Sequence, residues 1–227
     1  LLVGCKNDNV IRINEVTHSI FYAPLYTAIN NGYFKEYGYT IELTNGGGSD
    51  ASMTALLSGS ADIALMGPET GVYVNAGGKQ NAPMIFGQLT KRDGSFLVSK
   101  TNETDFKWTN LKGKHVIAGR KGGSPAMSLR YALVKNNINV ETDLNFDLSV
   151  SFNNTVGAFT GGTADYVTVF EPTASDLVRE NKGFIVASVG EEAGAIPFTC
   201  FSANKSYITK NPQKIENFLK PIQKAYN

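Results

Sequence analysis

The chain has 227 residues, of which 42% are hydrophobic, so it is long enough to build one large domain or two small ones. Its 21 Lys and Arg residues balance its 20 Asp and Glu residues, which excludes the strongly basic surface typical of proteins that bind nucleic acid. The apolar runs are only a few residues long, well short of the roughly 20 residues of a membrane-spanning helix.

Residues 1–9 are predicted to form a lipobox and a tether. The run Leu1-Leu2-Val3-Gly4-Cys5 has the order of a bacterial lipobox, in which an apolar segment is followed by a small residue and a cysteine. The alternative is an ordinary hydrophobic start to the first strand, but the polar residues 6–9 separate the run from that strand. We therefore expect Cys5 to be the lipid-carrying N-terminus of the mature protein.

The other cysteine, Cys200, lies in the apolar stretch 197–201 and is predicted to be a buried thiol. A disulfide with Cys5 is the alternative, but a lipidated Cys5 could not form it. Two cysteines make neither a disulfide scaffold nor a zinc site.

Short apolar strands alternate with helical segments along the chain, which predicts an α/β fold with mainly parallel sheets. In the first half, strands are predicted at 10–16, 39–43, 62–66, 84–89 and 96–99, and helices at 23–31, 49–58 and after Pro68. Gly32 and Gly59 are predicted to end the first two helices. We assign residues 10–100 to a first lobe.

Residues 102–112 are polar and lack periodicity, so we predict a lobe boundary there and a second lobe at 101–194. Its strands are predicted at 114–118, 144–150, 165–169 and 184–187, and its helices from Ser124 to about 136, through Phe159 and at 172–181. Residues 212–227 are predicted to form an amphipathic helix with one apolar face, made by Ile215, Phe218, Leu219 and Ile222. Because this helix lacks a capping glycine or a polar tail, we expect the natural protein to continue beyond it.

An internal sequence repeat, which we call the echo, favours two lobes of one design. Residues 59–70 match residues 162–173 in type, with an Ala-Asp pair, an apolar strand, a proline and a neighbouring glutamate in each. Chance similarity between two α/β units is the alternative, but the matching proline and glutamate favour duplication.

Enzyme signatures are missing from the sequence. It has no phosphate-binding G-x-x-x-x-G-K-[ST] loop, no G-x-G-x-x-G after a strand and no H-E-x-x-H, and its only histidines are His18 and His115. The stretch 122–126 faintly resembles a nucleophile elbow, but Pro125 after Ser124 predicts that Ser124 is a helix N-cap.

Helix starts placed just after strand ends recur in both halves, and this edge of an open α/β sheet is where ligands bind. Helix N-termini there favour an anionic group on the ligand. Gly47, Gly48 and Gly123 permit close approach of backbone to a ligand, although turn geometry also explains them. Phe21 and Tyr22 lie on the same edge and are predicted to stack on a ligand, the alternative being that one of them packs against the helix start.

Three charged residues are candidates for direct ligand contacts. Arg120 follows the first strand of the second lobe and is predicted to hold an anionic group, whereas Lys121 points to water; a solvated loop charge is the alternative for Arg120. Glu69 and Glu171 occupy the echoed positions and are predicted to hold an amine or ring N–H. Paired carboxylates can also serve as acid and base, and either one can simply offset a helix dipole.

Several motifs along the chain carry a family resemblance: Ala23-Pro24-Leu25-Tyr26, the G-Y-F turn and its flanks at 31–38, the L-x-S-G-x-x-D pattern at 56–63, residues 111–114 with Arg120 and Gly122-Gly123-Ser124, and Asn211-Pro212. Together they resemble the solute-binding proteins of ABC importers, in the branch that takes nitrate, aliphatic sulfonates, taurine and pyrimidine precursors of thiamine. The resemblance covers nearly the whole chain and is specific for the family but not for a ligand.

The resemblance implies a type II periplasmic-binding-protein fold, in which two lobes joined by crossing strands close over a small molecule held in the cleft between them. Residues 195–202 would carry the chain back, so that 195–227 rejoin the first lobe. It also implies a monomer without a cofactor or metal, anchored by lipid at the extracytoplasmic face of the membrane, that delivers a polar organic solute to an importer permease.

Two other functions compete with this interpretation. The first is an enzyme on the same scaffold, of the pyrimidine-precursor or lyase type, using Glu69 or Glu171; the thiamine-related enzymes of the superfamily have a cysteine-rich motif that this sequence lacks. The second is the sensor lobe of a transcription regulator, which the missing DNA-binding helices and the lipobox disfavour.

Overall fold

The structure is a computed structural model that describes residues 9–227. Cys5 and its predicted lipobox lie outside the described residues. The chain divides into two compact units, one comprising the residues up to 89 with 199–227 and the other comprising 90–198. None of the helices in the described part combines the length and apolarity that a membrane span needs.

The elements follow the predicted alternation. The strands are β1 (Val10–Glu15), β2 (Thr40–Asn45), β3 (Ile63–Met66), β4 (Pro83–Thr90), β5 (Phe96–Ser99), β6 (His115–Ile117), β7 (Asn145–Asp147), β8 (Tyr166–Val169), β9 (Phe184–Ser188) and β10 (Thr199–Asn204). The helices are α1 (Ala23–Asn30), α2 (Ser49–Ser58), α3 (Glu69–Ala76), α4 (Ser124–Lys135), α5 (Thr155–Gly161), α6 (Thr173–Arg179), α7 (Val189–Ala193), α8 (Lys205–Lys210) and α9 (Pro212–Ala225). The short helices α7 and α8 were not predicted.

The sheet of the first unit has the strand order β2-β1-β3-β10-β4. β1 pairs in parallel with both β2 and β3, whereas β10 runs antiparallel to β3. The predicted apolar face of the last helix packs on this unit, where Phe218 contacts Phe34 with ring centroids 5.4 Å apart. Residues 199–227 group with the first unit, whereas residues 195–198, which were predicted to rejoin it as well, lie in the second unit.

The sheet of the second unit has the order β7-β6-β8-β5-β9. β6 is parallel to β7 and β8, and β5 is antiparallel to both β8 and β9. β5 therefore belongs to the second unit, so the predicted boundary after residue 100 is wrong. The polar stretch 102–112 that suggested it is a loop of the second unit, anchored by the buried Leu111.

The connecting segments on either side of the second unit pair with each other. Phe198 donates its N–H to the Thr90 carbonyl at 3.0 Å, and Ile196 donates to the Lys91 carbonyl at 3.0 Å. Two backbone hydrogen bonds thus hold the entry and exit of the unit side by side, which fixes the place where the chain enters and leaves it.

Candidate functional site

The carboxyl ends of parallel strands meet at one edge of each sheet, and we call this the carboxyl-end edge of the unit. In the first unit it follows β1, β2 and β3 and leads into α2 and α3; in the second it follows β6, β7 and β8 and leads into α4 and α6. Every candidate ligand residue from the sequence lies in a segment or helix start that follows one of these strands. Residues on such an edge are those that contact ligands in open α/β sheets.

The two predicted aromatics have different environments. Phe21 is 36% exposed, whereas Tyr22 is 5% exposed and belongs to the hydrophobic core. Burial raises the pKa of the Tyr22 hydroxyl to about 12, and that hydroxyl is hydrogen-bonded to Thr199. Of the pair, only Phe21 offers a ring surface to a ligand, and Tyr22 fills the packing role that was the alternative.

The glycines after β2 are explained by backbone geometry. Gly47 and Gly48 have φ values of 71° and 156°, which L side chains rarely adopt. Gly46 packs so closely that an added Cβ would lie 2.6 Å from Asn14 Oδ1 and 2.7 Å from Ser52 Oγ. Turn geometry and packing therefore account for these glycines.

Glu69 is the first residue of α3 and is buried. Its carboxylate folds back over Gly67, where any Cβ would collide with it. The nearby Cys200 is a buried free thiol, as predicted, and its pKa is raised to about 11 by burial and, secondarily, by the charge of Glu69. The Glu69 carboxylate is therefore held over Gly67 at the carboxyl-end edge of the first unit.

A buried carboxylate that was not predicted lies beside these residues. Glu15, the last residue of β1, is 2% exposed and accepts a 2.6 Å hydrogen bond from the Tyr26 hydroxyl. Its other oxygen lies 3.0 Å from Nδ1 of His18. The signal was present in the sequence, because Glu15 continues the alternation of Ile11 and Ile13 onto the buried face of the strand.

In the second unit, Arg120 follows β6 and is partly buried. Its carbonyl accepts a 3.1 Å hydrogen bond from the N–H of Gly123, and a Cβ on Gly123 would lie 3.8 Å from the guanidinium Nε. Gly123 is the N-cap of α4 and the buried Ser124 is its first residue, so the cap lies one position earlier than predicted. Lys121 is exposed, as expected.

Glu171 makes a local contact at the start of α6. Its carboxylate accepts hydrogen bonds from the Ser175 N–H at 3.0 Å and the Ser175 hydroxyl at 2.9 Å. Satisfying a backbone N–H in the first turn of a helix is the dipole-offsetting role that was the alternative for this residue. The carboxylate remains only partly buried.

The chain is similar in sequence to known proteins. Residues 16–227 match the model of the NMT1-like family. The chain is 44% identical over 227 residues to YtlA of Bacillus subtilis (strain 168), a candidate binding protein by name, and the match covers 99% of this chain and 68% of YtlA.

Solved structures share the fold. The periplasmic aliphatic sulphonate binding protein SsuA of Escherichia coli matches with a TM-score of 0.78 and 18% identity, over 96% of this chain and 72% of SsuA. The periplasmic nitrate-binding protein NrtA of Synechocystis PCC 6803 matches with a TM-score of 0.77 and 18% identity, over 96% of this chain and 61% of NrtA. These likenesses confirm the predicted α/β, two-lobed periplasmic-binding-protein fold.

Proposed function

The chain belongs to the NMT1-like family, and from this membership we propose that it is an extracytoplasmic solute-binding protein that captures a small polar organic molecule for an ABC importer. The observation that carries the proposal is the 44% identity to YtlA over 99% of this chain. The fold shared with SsuA and NrtA, which are named for the sulphonates and nitrate that they bind, supports it.

The second unit is suited to the anionic or strongly polar end of the solute. Its edge carries Arg120, three residues after the end of β6, and the first turn of the 12-residue helix α4 contains no acidic residue. A guanidinium beside a helix N-terminus combines a fixed cation with an electropositive dipole, an arrangement that favours carboxylate, sulfonate or phosphate groups. We place Gly123 and Ser124 in contact with this end of the solute.

In the first unit, the proposed ligand contacts are Phe21, Gly47, Gly48 and Glu69. In the second unit, Glu171 joins the residues around Arg120. Phe21 would cover a flat or aliphatic part of the solute, because its ring is partly exposed on the edge. The two glutamates would accept hydrogen bonds from donor groups of the solute.

Binding without chemical conversion is the activity that these residues support. The relative YtlA and the structural neighbours SsuA and NrtA are all named as binding proteins, which supports binding over an enzyme of the lyase or pyrimidine-precursor type. We propose that the solute leaves the protein unchanged.

The cellular setting follows from the same proposal. Cys5 would carry lipid and anchor a monomer to the extracytoplasmic face of the membrane, and the partner would be the permease of an ABC importer. No nucleic-acid partner is proposed, because the net charge is only +1.

Native mass spectrometry of freshly purified protein tests the proposal. We expect a mass increment from a bound small molecule that is lost on denaturation, and we expect the released molecule to be recovered unchanged after prolonged incubation with the protein. Conversion of the molecule into a product would replace the proposal with the enzyme alternative. A protein that carries no solute and is not thermally stabilised by any member of a library of polar metabolites would contradict it.

A further inference from the structure

The side chain of His18 is held in a fixed orientation although 72% of its side-chain surface is exposed. Its Nδ1 lies 3.0 Å from Oε1 of Glu15, and its ring stacks on Tyr26 with centroids 4.5 Å apart and an interplanar angle of 23°. Tyr26 is itself fixed, because its hydroxyl donates to Glu15 and accepts the N–H of Ser19 at 3.1 Å. An exposed histidine with this many constraints presents its outer ring edge in one direction.

The partners of Glu15 determine which nitrogen of His18 carries the proton. An ionised carboxylate only accepts hydrogen bonds, and the Tyr26 hydroxyl already donates to Oε2. The short contact at Oε1 therefore requires a proton on Nδ1. In the neutral ring, Nε2 is then a bare acceptor, and no residue within 9–227 is hydrogen-bonded to it.

The carboxyl-end edge of the first unit carries acidic charges. The segments that follow β1, β2 and β3, at 16–22, 46–50 and 67–70, contain Asp50 and Glu69 and no Lys or Arg. These two acids lie in the first turns of α2 and α3, where an anionic ligand would otherwise bind. With the buried Glu15 added, this edge repels anions and attracts cations.

We propose that Nε2 of His18 accepts a hydrogen bond from a cationic nitrogen group of the solute, such as an ammonium, amidinium or guanidinium group. Glu15 and Tyr26 are positioning residues that set the tautomer and the plane of the ring. The inference rests on the proposed function and deepens it, because it names the chemical class of the group that the first unit would hold.

Small fragments that carry a single functional group test the chemical class of this donor end. Acetamidinium and methylguanidinium supply cationic donors, and acetate and methanesulfonate supply anions that only accept. Each is titrated into the protein, at a pH where the ring ¹⁵N shifts show the neutral form of His18, while the ring resonances of His18 and His115 are followed by NMR. Because these are the only two histidines of the chain, His115 of the second unit is a built-in reference.

We expect both cationic fragments to shift the His18 ring resonances with dissociation constants in the millimolar range and to leave His115 unmoved. The anionic fragments should leave His18 unmoved. The inference would be overturned if the anionic fragments shifted the His18 ring resonances instead, or if neither class of fragment shifted them. Either result would leave the proposed function intact, because that function is judged separately by the co-purified solute.

A tautomer measurement separates a positioning role from a structural one. In Glu15→Gln the amide carbonyl takes the Tyr26 hydroxyl and the amide NH₂ faces Nδ1, so the ring proton should move to Nε2 and change the ring ¹⁵N shifts. Acetamidinium should then bind about tenfold more weakly, because its acceptor is lost. Tyr26→Phe retains the ring and should retain the Nδ1–H tautomer.

The alternative is that the Glu15–His18 pair only stabilises the loop after β1. In that case His18→Ala would lower the melting temperature and leave acetamidinium affinity unchanged, which contradicts the inference. We expect the reverse, with little change in melting temperature and loss of the acetamidinium titration. His115→Ala is the matched control and should retain that titration.

Discussion

The Asp62 carboxylate accepts hydrogen bonds from both the backbone and the side chain of Arg12, at 3.0 Å from N, 3.0 Å from Nε and 2.7 Å from Nη2. The backbone completes the link, since the Asp62 N–H donates to the Arg12 carbonyl at 2.9 Å. The echoed residue, Asp165, accepts from the His115 N–H at 2.9 Å and donates to the His115 carbonyl at 2.9 Å. In both units, the aspartate of the echo lies just before the third parallel strand and joins it to the first strand, which favours duplication.

Asp62→Asn should destabilise the first unit, because it replaces a charge-assisted pair of bonds to the guanidinium by weaker ones. We expect a loss of about 1–2 kcal/mol in the free energy of unfolding. Asp165→Asn should cost less, about 0.5–1 kcal/mol, because an amide oxygen can still accept from the His115 N–H. Urea titrations followed by circular dichroism measure both, and Trp108, the only tryptophan, reports on the second unit.

The matched control for that comparison is Glu216→Gln, which removes an exposed i,i+4 pair with Lys220 at 2.8 Å on α9. Exposed pairs of this kind contribute little, so no measurable loss is expected. An equal loss in Glu216→Gln and Asp62→Asn would contradict the role given to Asp62.

Asp93 should make stability depend on pH. It is 4% exposed, and burial raises its pKa from 3.8 to about 6, although the hydrogen bond from the Ser95 N–H opposes the rise. Because the folded pKa lies above the unfolded one, this contribution is fully present below pH 3.8 and is lost as the pH rises through about 6. The loss is on the order of 2–3 kcal/mol.

Asp93→Asn removes the titration while its carbonyl can still accept the 2.6 Å hydrogen bond from the Ser95 N–H. Scanning calorimetry should find the variant more stable than the wild type at about pH 7.5, with the difference shrinking toward about pH 5. Parallel stability curves for the two proteins across that range would show that the Asp93 carboxyl does not titrate there.

The sequence predicted the bounds of helices and strands well where neighbouring residues in the chain determine them. α2 was predicted at its observed bounds, because Gly59 ends it with φ 78° and the glycines before Ser49 start it. β5 was also predicted at its bounds but assigned to the wrong lobe. Its partners, β8 and β9, lie about 70 to 90 residues further along the chain, and no local pattern specifies such pairing.

The sequence predicted which residues follow the ends of the parallel strands, because topology alone determines them. It did not predict which of these residues contact each other. Arg120 and Glu69 could be named because they follow apolar strands. The Glu15–His18 pair was missed because a carboxylate next to polar loop residues is ordinarily solvated, and it is Tyr26, a helix residue, that makes its burial tolerable. Such compensation becomes visible only once the helix is packed on the sheet.

Lipidation of Cys5 stays a prediction, because it lies outside the described residues. Cys5→Ser should release the protein from the membrane into the extracytoplasmic medium, since two acyl chains give stable anchoring and their loss leaves no anchor. Cell fractionation with labelling by an alkyne fatty acid measures both effects. Unchanged membrane retention and no label on the wild-type protein would remove the lipobox from the proposal.

Glu171→Ala tests whether this carboxylate contacts the solute or only the first turn of α6. Ser175→Ala is the matched variant, because it removes one of the two hydrogen bonds to Glu171 without removing the charge. As a ligand contact, Glu171→Ala weakens solute binding by roughly 1.5–3 kcal/mol, while Ser175→Ala does not. Equal small losses of stability in both, with wild-type affinity, would assign Glu171 to capping alone. Calorimetric titration with the solute identified by mass spectrometry decides between them.

Arg120→Ala should weaken binding of that solute by roughly 1.5–3 kcal/mol, the range for a hydrogen bond to a charged group. The guanidinium lies over Gly123 at the start of α4, so its removal takes away the fixed cation and leaves the helix N-terminus in place. The melting temperature of the solute-free protein should stay nearly constant, because Arg120 is a loop residue outside the hydrophobic clusters. Lys121→Ala is the control, since it removes a neighbouring, exposed positive charge and should change neither quantity. If the two variants lost affinity equally, the effect would be general attraction of an anion by the loop. If Arg120→Ala bound like the wild type, the anionic end of the solute would have to be held elsewhere.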